Sequence, residues 1–215
     1  MLQRVLSYLF PRTETRVEGH FGPLEVRWEN GRKVLNSALG NQSFGALHRV
    51  WQKTFKYLEL SKNPPKDVLM LGLGGGSVPT ILRKELKILS PITAVELDPQ
   101  MVELATKHFG LGEFADVMVI TGDATIQVHA IRERFDLVLV DLFDDLDLAR
   151  GVDTGGFLHG LRDRCAAGGT LCFNTVAYDD HSETRCQRVF EHAQRVFHEV
   201  TELRLEGINR VFIAR

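Results

Sequence analysis

The sequence predicts an α/β protein: a mostly parallel sheet of seven strands that closes with a C-terminal antiparallel hairpin, preceded by a small N-terminal β-hairpin and helix. Three observations predict it. Short apolar runs such as Val68-Leu69-Met70-Leu71 and Leu137-Val138-Leu139-Val140 have the character of strands buried on both faces. These runs alternate with stretches of helical periodicity, as parallel connections require. The tail VTELRLEGINRVFIAR instead sets two extended runs on either side of Glu206-Gly207-Ile208-Asn209, which reads as a hairpin.

The elements follow in order. Residues 17–36 alternate apolar and polar around Gly22-Pro23 and Glu29-Asn30-Gly31, and Asn-Gly between such runs signals a tight antiparallel turn. From Ser43 to Leu60 the residues Phe44, Leu47, Val50, Trp51, Phe55 and Leu58 recur at helical spacing. Lys62-Asn63-Pro64-Pro65-Lys66 then breaks the pattern and divides an extension, residues 1–62, from a main domain, residues 63–215. In that domain strands are expected at 68–71, 92–96, 117–120 and 136–141, with helices at about 78–88, 99–108 and 124–132 between them. A helix over 156–166 leads through Gly168-Gly169 into a strand at 170–176, and Ser182 to Phe197 forms the last helix.

Composition sets bounds on function. With 215 residues, 44% of them hydrophobic and 25% charged, the chain is an ordinary globular one. A net charge of −2 lacks the basic excess that favours nucleic acid. The opening segment MLQRVLSYLFPRTETR is interrupted by Arg4 and stopped by Pro11, too short to span a membrane, and is expected to dock on an apolar face of this chain or of a second copy in a homodimer. Cys165, Cys172 and Cys186 lack metal or redox spacing and read as reduced core thiols of a cytoplasmic protein.

The strand exits carry the chemistry. Gly72, Gly74 and Gly76 begin where the strand 68–71 must turn, so a ligand can approach bare backbone. Glu96 follows 24 residues after Gly72, at the tip of the next strand, where a carboxylate can accept from both ribose hydroxyls. Asp123, in Gly122-Asp123-Ala124, and Asp141, after Phe135-Asp136-Leu137-Val138-Leu139-Val140, end two further strands along the same edge. Four exits then line one crevice, which fits a mononucleoside with a reactive tail better than a dinucleotide. Ser77 stands where the dinucleotide fingerprint wants its third Gly or Ala, which weakens a dehydrogenase reading. The acidic group Asp141, Asp144, Asp145 and Asp147 reads as a funnel for a cationic substrate, or as a solvated loop, ahead of a metal site. Tyr178 and His181 sit just beyond the strand 170–176, where substrate contacts or a plain exposed loop are both open readings.

In these motifs the chain resembles the class I S-adenosylmethionine-dependent methyltransferase fold, a Rossmann-like sheet, and within it the spermidine synthase-like branch. The resemblance rests on the glycine loop, Glu96-Leu97-Asp98, Gly122-Asp123-Ala124 and Asp141-Leu142-Phe143-Asp144 in this order. It implies that Gly72, Gly74, Gly75, Gly76, Glu96, Leu97, Asp98, Asp123, Ala124 and Asp141 bind S-adenosylmethionine or its decarboxylated form. Glu96 would hold the ribose, Asp123 the adenine amino group and Asp141 the attacking amine, with Asp144 and Tyr178 as substrate contacts. Two departures qualify it. No carboxylate stands at Gly75, where the branch grips the amine tail of the decarboxylated cofactor, and HRVWQKTF replaces the Tyr-(Gln/His)-Glu pattern of that branch. Glycine at 75 leaves room for the carboxylate of ordinary S-adenosylmethionine. The expected function is therefore methyl transfer to a small acceptor, with spermidine synthase-like aminopropyl transfer and non-catalytic nucleoside binding as alternatives.

Overall fold

The computed structural model describes residues 2–37 and 41–215; Met1 and residues 38–40, inside the expected extension, lie outside the described residues. The chain opens with a short helix, α1 (Leu2–Leu6), followed by an antiparallel four-stranded sheet of β1 (Arg12–Gly19), β2 (Gly22–Glu29), β3 (Arg32–Asn36) and β4 (Asn41–Ser43) in sequential order. More strand forms than the expected hairpin because two tight turns join three long strands. Asn30 and Gly31 both have positive φ, 49° and 74°, as the two-residue turn demands. The earlier turn falls at His20 and Phe21 rather than at Gly22-Pro23: Gly19 pairs with Gly22, and Pro23 lies in β2 opposite Glu18. The opening segment is anchored by Ser7, whose backbone carbonyl and Oγ accept from Asn30 N–H and Gly31 N–H. Its apolar side chains do not cover this chain, since Leu9 and Phe10 remain 72% and 70% exposed.

The helix expected from Ser43 to Leu60 is shorter, α2 (Ala46–Tyr57), because Ser43 belongs to β4 and Phe44 takes a left-handed φ of 65°. The main sheet then begins with β5 (Val68–Leu71). It is followed by α3 (Ser77–Thr80) with a π-helical turn over Ile81–Glu85, then β6 (Ile92–Glu96), α4 (Pro99–Phe109), β7 (Val117–Thr121), α5 (Ala124–Ala130) and β8 (Phe135–Val140). The first of these helices stops before its expected end: Lys87 turns left-handed, and the buried Arg83 guanidinium takes the carbonyls of Ile88 and Ser90 together with Asp116. A two-residue hairpin, β9 (Phe143–Asp144) and β10 (Asp147–Leu148), precedes α6 (Gly155–Arg164), β11 (Cys165–Val176), α7 (Asp180–Val196), β12 (Val200–Leu205) and β13 (Asn209–Ala214). Strand β11 starts earlier than expected, with Cys165 opposite Phe135, and its register shifts before Thr170 meets Leu137.

Seven strands run in the order β12-β13-β11-β8-β5-β6-β7. Strands β11, β8, β5, β6 and β7 are parallel to their neighbours, and β13 and β12 close the sheet antiparallel. Alternation along the buried strands divides the core in two. Leu69, Leu71, Val138, Val140 and Phe173 face α5, α6 and α7, whereas Met70, Leu137, Leu139, Cys172 and Ile213 face α2, α3 and the π-turn. The chain leaves β5 toward β6 and β7 on one side and later returns to β8 on the other. The carboxyl ends of β5 and β8 therefore flank a topological switch point, where open parallel sheets form their ligand crevice.

Gly72 is the tightest point of that crevice. Its φ is 91°, and a Cβ there would run into the backbone carbonyl of Asp141 and meet Leu142 at 3.3 Å. Gly72→Ala is expected to cost about 3 kcal/mol or more, from backbone strain combined with a backbone clash that neither strand can relieve. Urea denaturation read by circular dichroism checks it; a loss below about 1 kcal/mol would mean the two strand exits can separate freely.

Candidate active site

A cavity of 420 Å³ opens at the carboxyl ends of β5, β6, β7 and β8 and is roofed by the β1–β2 turn and the β12–β13 turn. This volume lies in the range of small-molecule sites. Its wall brings together Gly72, Gly74, Glu96, Leu97, Asp98, Asp123, Ala124, Asp141 and Asp144, residues that are dispersed over four strand exits. Among the charged side chains of the lining carboxylates dominate: Glu96, Asp98, Asp123, Asp141, Asp144 and Asp145 stand against one guanidinium, Arg150. The field of such a pocket selects for a cation.

Glu96 staples the glycine turn. Its Oε2 accepts N–H from Leu73 (3.0 Å) and Gly74 (2.9 Å), and its Oε1 accepts from Asp98 N–H (3.0 Å). Burial pushes its carboxyl above the usual range, against the lowering effect of these amides. Asp98 caps α4 through Gln100 N–H (2.8 Å), with Pro99 at the first helical position, and its other oxygen accepts His20 N–H (2.7 Å). That second bond ties the β1–β2 turn over the crevice. Asp123 caps α5, and both of its bonds, from Thr125 N–H (2.8 Å) and Thr125 Oγ1 (2.7 Å), fall on Oδ1. No side chain among the described residues bonds its Oδ2, so this oxygen is left as an acceptor in the cavity wall.

Asp141 is held from two sides. Trp51 Nε1–H donates to Oδ2 (2.8 Å) and Asn174 Nδ2 donates to Oδ1 (2.9 Å), while Asn209 Nδ2 donates to Asn174 Oδ1 (3.1 Å). Burial pushes the Asp141 carboxyl up to about 6; Asn174 and Trp51 oppose the rise, and the charge of Glu96 adds to it. The group is therefore ionised near neutrality yet easily protonated, the property of a general base.

Several expected site residues lie elsewhere. The space beside Gly75 is not free: a Cβ there would meet Ser43 Cβ at 2.8 Å and Leu35 at 3.2 Å, and its N–H donates to Ser43 Oγ (2.7 Å). The room expected for a cofactor carboxylate is thus filled by Leu35 of β3 and by Ser43 of β4, the residue at which the sequence started a helix. Gly76 caps α3 in the left-handed region and, like Gly75, is outside the cavity lining. Tyr178 is 49% exposed and His181 pairs with Asp147 at 3.5 Å; neither lines the cavity. Among the described residues no three His, Cys, Asp or Glu side chains gather as metal ligands, including in the acidic loop. Sequence reasoning missed Trp51, Asn174 and Asn209. Trp51 was hidden among the apolar positions of α2, but Asn174, a polar residue directly after the apolar run Leu171-Cys172-Phe173, carried a visible signal.

The strand order, the glycine turn after the central strand and the acidic exits of its neighbours define the class I S-adenosylmethionine-dependent methyltransferase fold. Residues 53–203 match the spermine/spermidine synthase domain, and the chain belongs to that family. Its relatives divide between two activities. The polyamine aminopropyltransferase of Vibrio vulnificus (strain CMCP6) is 32% identical over 130 residues, covering 57% of this chain and 43% of that protein. The eEF1A lysine and N-terminal methyltransferase homolog of Drosophila pseudoobscura pseudoobscura is 34% identical over 160 residues, covering 70% of this chain and 23% of that protein. The chain thus spans less than half the length of either relative. Among solved structures, spermidine synthase from Thermotoga maritima superposes with a TM-score of 0.73 at 15% identity, over 94% of this chain and 72% of that one. Human methyltransferase-like protein 13 in complex with SAH gives 0.66 at 24% identity, over 80% and 82%.

Proposed function

We propose that the protein is an S-adenosylmethionine-dependent transferase that moves a methyl group to the nitrogen of an amine acceptor. The observation that carries this reading is Asp141: a half-buried carboxylate fixed by Trp51 and Asn174 at the wall of an acidic cavity whose other strand exits present Glu96 and Asp123. The residues fit a sulfonium nucleoside. Gly72 and Gly74 leave backbone bare, Glu96 is oriented by three amides at the ribose position, and Asp123 Oδ2 is available to the adenine amino group. When bound, such a cofactor supplies an electrophilic carbon on a positively charged sulfur. The chain supplies placement: the carboxylates favour the cation, and Asp141 would accept a hydrogen bond from the neutral acceptor nitrogen and take its proton as the nitrogen–carbon bond forms and the carbon–sulfur bond breaks, the sulfur leaving as a neutral thioether. An amine acceptor is supported by both relatives, whose names describe transfer to polyamines and to lysine or N-terminal groups. The same reading includes a homodimer, supported by the exposed Leu9 and Phe10 of the N-terminal segment, and a cytoplasmic location, supported by the free thiols of Cys165, Cys172 and Cys186.

A specific observation favours aminopropyl transfer from the decarboxylated cofactor as the second reading. Every amide of the glycine turn already has a partner: Gly72 N–H on Val95 O, Leu73 and Gly74 on Glu96, Gly75 on Ser43 Oγ and Gly76 on Leu73 O. Among the described residues the turn therefore offers no amide to a cofactor carboxylate. Calorimetric titration of ligand-free protein with S-adenosylmethionine and with its decarboxylated analogue decides between them. Tighter binding of the carboxylated form is the expected result, tighter binding of the other restores aminopropyl transfer, and binding of neither sinks the nucleoside site.

A further inference from the structure

The wall of the cavity that bears Asp144 and Asp145 is a loop, residues 142–153, with little regular structure of its own. It contains the two-residue strands β9 and β10, one further backbone bond from Ala149 N–H to Leu142 O, and two buried apolar anchors, Leu148 and Val152. Yet it contributes Leu142, Phe143, Leu146, Ala149 and Arg150 to the cavity as well as the two acids.

One side chain outside the loop grips it along its length. Arg185, on α7, is only 7% exposed, and every partner of its guanidinium belongs to residues 147–153. Nη1 donates to the carbonyl of Leu148 and lies 3.0 Å from Asp147 Oδ1; Nη2 donates to Ala149 O (2.9 Å) and Asp153 Oδ1 (3.0 Å); Nε donates to Asp153 Oδ2 (3.2 Å). The planar fork thus meets two backbone carbonyls and two carboxylates at once, a geometry lysine cannot reproduce. The Asp153 carboxyl is held below the usual range, because the Arg185 bonds and charges of Arg185 and Arg188 outweigh its burial. Of the residues in this clasp only Ala149 belongs to the cavity lining, which Arg185 reaches through the loop.

We infer that Arg185 is a positioning residue: it clasps the loop 142–153 onto α7 and so fixes the acidic wall of the cavity against the crevice. The consequence for ligand binding rests on the transferase reading above; the clasp itself does not. Removing the guanidinium strands the Leu148 and Ala149 carbonyls and the Asp153 carboxylate without their main donor, and the few remaining ties leave the loop free to open.

Hydrogen exchange on the full chain, compared among wild type, Arg185→Gln, Arg185→Lys and Asp153→Asn, tests this. Amides of 142–153 are expected to exchange at least tenfold faster in Arg185→Gln, with smaller increases in the other two variants, while β5, β8 and β11 keep wild-type rates. Unchanged loop exchange in all three variants overturns the clasp. So does acceleration shared equally by loop and core strands, since Arg185 would then be a general support of the fold. If Arg185→Gln fails to fold, Arg185→Lys and Asp153→Asn carry the same comparison. Titration with S-adenosylhomocysteine separates the two claims. A tenfold weaker affinity in the variant whose loop opens supports the clasp as a positioning device, and unchanged affinity despite an open loop overturns that role. Failure of the wild type to bind sinks the nucleoside reading, while the exchange result still decides the clasp.

Discussion

Asp141→Asn is expected to lower turnover about 10³-fold while leaving affinity for a sulfonium nucleoside within a few-fold, because the side chain acts on the acceptor proton and has little part in holding the nucleoside. The same substitution should change stability in opposite directions at two pH values. Burial raises the Asp141 carboxyl from the ordinary 3.8 to about 6, so the fold favours the protonated form. Its stabilising contribution is complete below about pH 4 and is lost as pH rises through about 6, a change of roughly 3 kcal/mol. Asparagine never ionises and escapes that loss. It also brings an amide group against two donors, Trp51 Nε1–H and Asn174 Nδ2, and one mismatch of this kind costs about 1–2 kcal/mol.

The balance predicts a crossing. At pH 8 Asp141→Asn should melt above wild type, and at about pH 3.5 below it, since Asp141 is then largely protonated in both the folded and the unfolded wild type and the mismatch alone remains. Calorimetric Tm values at the two pH values check this. Curves that run parallel would remove ionisation of Asp141 from the account, and full turnover in Asp141→Asn would remove it from the chemistry. Wild-type kcat/KM should rise with pH through about 6, and the variant should lose that limb. A protein that binds the nucleoside but turns over in neither form is a binder and not an enzyme.

Much of this site was legible in the sequence because its determinants are local. A run of apolar residues ending in glycine or in an acid marks a buried parallel strand and its exit, whatever the rest of the chain does, and Val68–Leu71 and Phe135–Val140 are such runs. The caps Asp98 and Asp123 are likewise set by neighbours two residues away. What escaped depends on distant partners. Trp51 and Asp141 are separated by 90 residues, and nothing in the periodicity of α2 says which of its apolar positions ends in a polar N–H aimed at a carboxylate. Ser43 and Gly75 meet only because the four-stranded sheet folds back over the glycine turn, so the space beside Gly75 could not be judged from its missing side chain. The Arg185 clasp is of the same kind, since its partners lie 32 to 38 residues earlier in the chain. Asn174 is the instructive case: its oddity was local, a polar residue in a buried strand, and it marked the network around Asp141.

Glu96→Ala is expected to weaken nucleoside binding at least 100-fold and to cost roughly 2–4 kcal/mol of stability even without ligand. The two effects have separate origins. On the proposed reading, affinity falls because the ribose loses a charged acceptor at the cavity wall. Stability falls because Leu73, Gly74 and Asp98 lose the acceptor of their N–H groups, and the glycine turn, with Gly72 and Gly74 at φ of 91° and 54°, loses the side chain that selects this one of the many conformations open to glycine. Glu96→Gln divides them. Its carbonyl oxygen can still receive the Leu73 and Gly74 amides, whereas its NH₂ faces the Asp98 N–H, so most of the stability should return and only part of the affinity. Urea denaturation and calorimetric titration on both variants read the two quantities independently. Equal stability of Glu96→Ala and wild type would mean that the turn stands without its staple, and Glu96 would then act on the ligand alone. Equal affinity would remove the ribose contact and with it the register of the whole crevice, because Asp123 and Asp141 take their expected places along the nucleoside from the position of Glu96.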